Sequence, residues 1–262
     1  MDEVRVSSWS DLTERLYADS WQPGLGRFRS DFAFRGVETP EAALQTGLMR
    51  LGGNYAELEG HLLRNFRKYA YRDAVPFDSV WNWMTLAQHH GLPTRLLDWT
   101  FSPYVALHFL TEEFDHFDQD GVIWCADFMK IKALLPPRLQ SILNDEGANV
   151  FTTDMLAKAA GSLAEFDRLA PEPFAVFFEP PSLDERIVNQ FALFSMMSSP
   201  SARLDEWLGA HDGLIRRIIV PAGLKWEVRD KLDQANVTER VLFPGLDGLS
   251  RWLRRQYTPR RK

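Results

Sequence analysis

The chain has 262 residues, 45% hydrophobic and 25% charged, with a formal net charge of −6. That balance suits a folded protein with a sizeable core and argues against a general nucleic-acid coat. One cysteine, Cys125 in the apolar run 122–126, excludes an internal disulfide and reads as a buried, inert thiol in a reducing, cytoplasmic setting. The N-terminus has no secretory pattern, and no run of about 18 apolar residues predicts a membrane span.

In chain order, Ser7 or Ser8 caps a helix with Trp9, Leu12 and Leu16 on one face. Phe28, Phe32 and Phe34 fall on even positions and predict a half-buried strand that Gly36 ends. Tyr55, Leu58, Leu62, Phe66 and Tyr69 have helical spacing, giving a helix from Asn54 to about Arg72. A second helix runs from about Ser79 to His90, capped by Asp78 or Ser79 and stopped by Gly91 before Pro93. Ser102-Pro103 starts a helix over 104–114, and Gly121 to Phe128 reads as a buried strand. Residues 130–168 are helical with breaks at Pro136-Pro137 and Gly147. Strands are expected at 174–179, 191–197 and 214–220, and helices at 225–235 and 246–257. Six basic residues gather at the end (Arg251, Arg254, Arg255, Arg260, Arg261 and Lys262), where a solvated helix terminus and tail is the expectation. With no repeats and no linker, the fold class is α+β, a single compact domain over 1–262.

Several familiar chemistries are missing. No Gly-Lys-Ser/Thr triplet supports a phosphate loop, and Gly24-Leu25-Gly26 lacks the third glycine of a dinucleotide loop. Neither Gly-x-Ser-x-Gly nor His-Glu-x-x-His occurs. His89 and His90 are adjacent, so on a helix they diverge by about 100° and no metal site is expected.

The functional centre is placed at residues 88–102. A helix ends at Gly91, and Pro93 forces extended backbone before it. Leu96 and Leu97 sink into the core, leaving Thr94, Arg95, Asp98, Thr100 and Ser102 as clustered donors and acceptors. The helix that begins at Ser102-Pro103 then offers N-terminal amides to an anion. Such a segment suits a phosphate or a ribose. An Arg95–Asp98 ion pair that merely pins the loop fits the same residues. Among the others, Gln88 either contacts a ligand or satisfies backbone groups, His90 either joins the site or caps the helix, and Trp99 is core.

Phe34-Arg35-Gly36, the run from Ala87 through Gln88, His89, His90, Gly91 and on to Thr100, then Ser102-Pro103 and Ala106-Leu107-His108-Phe109 resemble an FRG domain. Arg186-Ile187-Val188-Asn189-Gln190, followed by Phe191 to Phe194, is similar to a later element of that family, so the family-like core spans about 28–197. The element order further resembles ADP-ribosyltransferases of the Arg–Ser–Glu type. That resemblance implies a split or mixed β-sheet with flanking helices and NAD as ligand and substrate. It implies an acceptor of nucleic acid or protein, in the setting of a toxin or of phage defence. It also implies that Arg35, with Gly36, holds the diphosphate, while Thr100 and Ser102 fix the nicotinamide-side ribose and brace the sheet; Gln88, Thr94 and Arg95 remain binding candidates from their position beside that segment. Where those transferases carry glutamate this chain has Gln190, so Glu185 or Asp98 is expected to supply the negative charge, with His89 or His90 as acid or base. The alternative is a non-catalytic module that binds a nucleotide or nucleic acid.

Overall fold

The computed structural model describes residues 2–41, 43–70 and 78–259. Strand β1 (Asp2–Arg5) leads into α1 (Trp9–Leu16), which Ser8 starts by accepting the Asp11 amide at 3.2 Å. Leu12 and Leu16 are buried as their spacing predicts. A two-stranded ribbon follows, β2 (Trp21–Gln22) with β3 (Arg27–Phe28). It removes Phe28 from the expected strand and leaves that ring exposed beside Trp21. Strand β4 (Phe32–Val37) keeps Phe32 and Phe34 buried but runs through Gly36 rather than ending there.

Helix α2 (Tyr55–Tyr69) departs most from its pattern. Leu58 and Tyr69 are exposed, and its one buried residue is Glu59; the expected end at Arg72 lies outside the described residues. Helix α3 (Val80–His89) forms as predicted. Ser79 accepts the Asn82 amide at 3.2 Å, His90 caps the end, and Gly91 turns the chain at φ +79°. Strand β5 (Leu96–Thr100) and α4 (Pro103–Leu110) come next, α4 ending earlier than its spacing suggests. Strand β6 (Gly121–Asp127) is buried along its length, and burial pushes the Cys125 thiol up to about 12.

The helical stretch resolves into α5 (Phe128–Ala133), α6 (Pro137–Asp145), α7 (Thr153–Ala159) and α8 (Leu163–Asp167), with a short β7 (Phe151–Thr152) between α6 and α7. Strand β8 (Ala175–Glu179), α9 (Glu185–Asn189), β9 (Ala192–Met197), α10 (Leu204–Gly209) and β10 (Ile215–Val220) complete the sheet region. Helices α11 (Ala222–Gln234), α12 (Glu239–Leu242) and α13 (Leu246–Gln256) close the described chain. No described helix is long and apolar enough to cross a membrane.

Eight strands form one mixed sheet in the order β1-β10-β6-β4-β5-β9-β8-β7, parallel at its two edges and antiparallel inside. The ladder is uneven. Strands β4 and β6 pair from Phe32↔Asp127 to Val37↔Val122, and β5 pairs with β9 from Leu96↔Met196 to Thr100↔Ala192. Between β4 and β5 the single register pair is Phe34↔Thr100. The sheet therefore divides into two halves joined at one point. One apolar cluster, with Leu97, Trp99, Trp124 and Phe177, covers a face common to both halves. The opposite face is covered twice. Phe34, Leu107 and Ile123 pack with α1, α4 and α11 on one half, and Trp81, Phe178 and Phe194 pack with α3, α6 and α7 on the other.

Gly36 lies at the division. A Cβ there would stand 1.8 Å from the Ala106 carbonyl oxygen, so only glycine lets α4 settle on β4 this closely.

Candidate functional site

Where β4 and β5 part, a cavity of about 610 Å³ opens, walled by the ends of both strands, α3, α4, α9 and the segment after α4. Seven of the expected site residues line it: Arg35, Gly36, Gln88, His89, Asp98, Thr100 and Gln190.

Arg35 leaves β4 just past the bridging pair and donates from Nη1 to the Asp98 backbone carbonyl. Its Nε is buried with no partner, and burial pulls the guanidinium down, opposed by the Asp98 charge. Asp98 is held from the other side. The Leu96 amide donates to Thr94 Oγ1 at 3.1 Å, Thr94 Oγ1 donates to Gln88 Oε1 at 2.6 Å, and Gln88 Nε2 donates to Asp98 Oδ2 at 3.0 Å. Thr94 thus acts through Gln88 and does not line the cavity.

His89 presents its ring to the cavity and ties Nε2 to Asp184 Oδ2 at 2.5 Å. Asp184 is itself fixed, accepting the Ile187 amide at 3.0 Å as the cap of α9. Burial lowers the His89 pKa, and the Asp184 carboxylate offsets this only in part, so the ring is neutral near pH 7. With Nε2–H donating to Asp184, Nδ1 carries the lone pair, the arrangement of an oriented general base.

Thr100 is buried and fully engaged: Oγ1 donates to the Gln190 carbonyl at 2.7 Å and accepts the Ser102 amide at 3.0 Å. Gln190 Nε2 donates to the Leu242 carbonyl at 3.0 Å, which moors α9 to α12. Phe191 follows at φ +49°, a left-handed conformation that turns α9 into β9.

Besides Thr94, four expected residues fall elsewhere. Arg95 is only 4% exposed and is neither a ligand contact nor the partner of Asp98. Its Nε donates to Glu59 Oε1 at 2.6 Å, Nη2 meets the other Glu59 oxygen, and Nη1 donates to Asp167 Oδ1 at 2.6 Å. Ser102 caps α4, its hydroxyl accepting the Val105 amide at 3.3 Å, and it does not line the cavity. His90 is exposed at the end of α3, edge-on to His89 with ring centres 5.1 Å apart. Glu185 is exposed in the first turn of α9. Trp99 is core as expected, with Nε1 donating to Ser195 Oγ at 2.8 Å, although one side of it borders the cavity.

The cavity is also lined by Glu38, Glu112, Glu113 and His116, none of which the sequence singled out, and by Arg186, which stands in the later family-like element without an expected role. His116 Nδ1 and the Glu113 amide both meet the Glu38 carboxylate, at 2.7 and 2.9 Å. Buried Lys225 pins this wall from behind, donating to the carbonyls of Glu38 and His116 at 2.8 and 2.7 Å. Burial raises the Glu112 carboxyl despite Arg251 at 3.8 Å. The available signal was position: Glu112 stands three residues after Phe109, just beyond the end of the predicted central helix motif. Among the described residues no group of three His, Cys, Asp or Glu side chains is placed to hold a metal ion.

The arrangement therefore offers an unpaired guanidinium, an oriented imidazole and several carboxylates around one concave space. No curated protein and no solved structure matches the chain. The FRG domain family matches residues 30–119, the span that supplies Arg35, Gly36, Gln88, His89, Asp98, Thr100 and Glu112 to the cavity. That matched span supplies most of the residues of the cavity wall.

Proposed function

We propose that the cavity binds NAD and that the protein is an ADP-ribosyltransferase-like enzyme. The observation that carries this reading is Arg35, a guanidinium at the division of the sheet with a backbone carbonyl but no carboxylate for partner among the described residues. A planar cation left unpaired at a cavity wall suits a diphosphate, which it can meet with two parallel hydrogen bonds. The split between β4 and β5 supports the same reading, since it gives an extended dinucleotide a groove with strand ends on both sides.

In this reaction the bond between nicotinamide and ribose C1′ breaks, and nicotinamide leaves with the bonding pair. The acceptor, a nucleophile on nucleic acid or protein, donates its lone pair to C1′ and gives up a proton. Positive charge developing on the ribose is stabilised by a carboxylate. Asp98 takes that part, its side chain fixed by Gln88, with Glu112 across the cavity. Gln190 serves as a brace, its amide nitrogen committed to Leu242. His89 receives the acceptor's proton at Nδ1.

Calorimetric titration with NAD, paired with an assay for released nicotinamide, tests this. Wild type is expected to bind and to release nicotinamide, and Arg35→Ala to lose both. Absence of NAD binding by the wild type would sink the proposal. The committed Gln190 amide favours one second reading, a nucleotide-binding module without turnover. Binding with no nicotinamide release would select it.

A further inference from the structure

The cavity has a second cation that, like Arg35, lacks a partner for its buried Nε. Arg186, in the first turn of α9, lines the same space, and its Nε is buried without a partner. Among the described residues no carboxylate forms an ion pair with either guanidinium. The acidic groups of the cavity are differently placed. Glu38 is met by His116 and the Glu113 amide, Asp98 by Gln88, and Glu112 faces Arg251. Glu113 is exposed to solvent, so among the described residues the buried groups of the cavity left without a partner are the Nε atoms of the two arginines.

Arg186 is held from one side only. Its guanidinium lies over the Phe243 ring at 5.1 Å, and Arg251 lies over the same ring at 5.0 Å. A guanidinium resting on an aromatic face keeps its in-plane N–H donors available, because stacking engages the π surface and not the edge. Phe243 in turn follows α12, the helix to which Asn189 and Gln190 moor α9 through the Val241 and Leu242 carbonyls at 2.8 and 3.0 Å. The ring beneath Arg186 and the helix that carries Arg186 are therefore tied to the same support.

We infer that Arg35 and Arg186 form a two-armed site for the diphosphate of a small dinucleotide, one arm from each half of the divided site. This deepens the NAD reading and rests on it only for the identity of the ligand. A small ligand is favoured over a nucleic-acid strand because both cations line one concave space of about 610 Å³ and not a continuous outer surface. The two negative charges of a diphosphate need two separated cations. With Arg35 alone, one phosphate would face Asp98 and Glu112 without compensation.

The test uses the full chain and three probes in calorimetry: inorganic pyrophosphate, ADP-ribose and adenosine. Arg186→Ala is expected to weaken pyrophosphate and ADP-ribose by about tenfold to a hundredfold while leaving adenosine unchanged. Arg186→Lys is expected to recover only part of the loss, since a point charge lacks the planar fork. Phe243→Leu keeps the bulk of the support without its π face and should weaken pyrophosphate severalfold, with the melting transition of each variant confirming the fold. Pyrophosphate and ADP-ribose binding equal to wild type in Arg186→Ala would overturn the inference, as would failure of both to bind the wild type. A single-stranded oligonucleotide that displaces ADP-ribose with higher affinity would also overturn it. If ADP-ribose binds through Arg186 while NAD releases no nicotinamide, the transferase reading falls and the diphosphate site stands.

Discussion

Arg95 and Arg35 lie in the same fold, sixty residues apart in sequence and on opposite terms with their surroundings. Arg95 is buried between two carboxylates, Glu59 and Asp167, which meet every edge of its guanidinium. Arg35 has one backbone carbonyl and a cavity. Arg255 repeats the first case, clasped by Glu239 and Asp233, and Arg186 repeats the second. Both kinds of arginine lose solvent, and what separates them is the counter-charge. A paired buried arginine closes a network and does structural work. An unpaired one keeps its donors for something that is not part of the chain.

The largest expected effect tests the structural side. Arg95→Ala strands Glu59 and Asp167, and should lower the unfolding free energy by about 3–5 kcal/mol in urea denaturation. A loss under about 1 kcal/mol would break the contrast. A second test is by pH. His108 is fully buried, with Nδ1 accepting from Arg229 at 2.9 Å, and burial together with that charge holds its pKa down at about 3. The unfolded chain takes up this proton below about pH 6.5 and the native protein does not, so stability falls as pH drops through that window. The native state should lose about 2 kcal/mol between pH 7 and pH 5 on this account. The slope should flatten in His108→Gln, and an unchanged slope would place the acid sensitivity elsewhere. The smallest effect sharpens the functional side. Arg35→Ala should leave stability within about 0.5 kcal/mol of wild type. A large destabilisation would move Arg35 into the company of Arg95.

The same contrast explains what could be read from the sequence. Local signals were legible: Ser79 before α3 and Gly91 after it, Ser102-Pro103 at α4, and the apolar run of β6. So was the neighbourhood of the site, because Arg35, Gln88, Asp98 and Gln190 stand in short quotable motifs. Pairing across the chain was not. Arg95 reads as a site residue until Glu59, 36 positions earlier, and Asp167, 72 positions later, are brought to it. For the same reason the helical spacing of α2 gave no sign that its one fully buried side chain is the acid that Arg95 requires. Glu112 and Glu38 carry no local periodicity that marks them, Arg186 is legible only as part of a motif, and the fold brings all three to one cavity.

That division gives the Phe34-Arg35-Gly36 tripeptide its meaning. Three successive residues serve three environments: Phe34 is a plug in the core under α4, Arg35 is a hand at the cavity, and Gly36 is the bare seam on which the Ala106 carbonyl rests. Two peptide bonds couple them, so the depth of the plug and the tightness of the seam set the reach of the hand. The tripeptide behaves as a single gauge, in which repacking the hydrophobic side recalibrates the polar side without touching it.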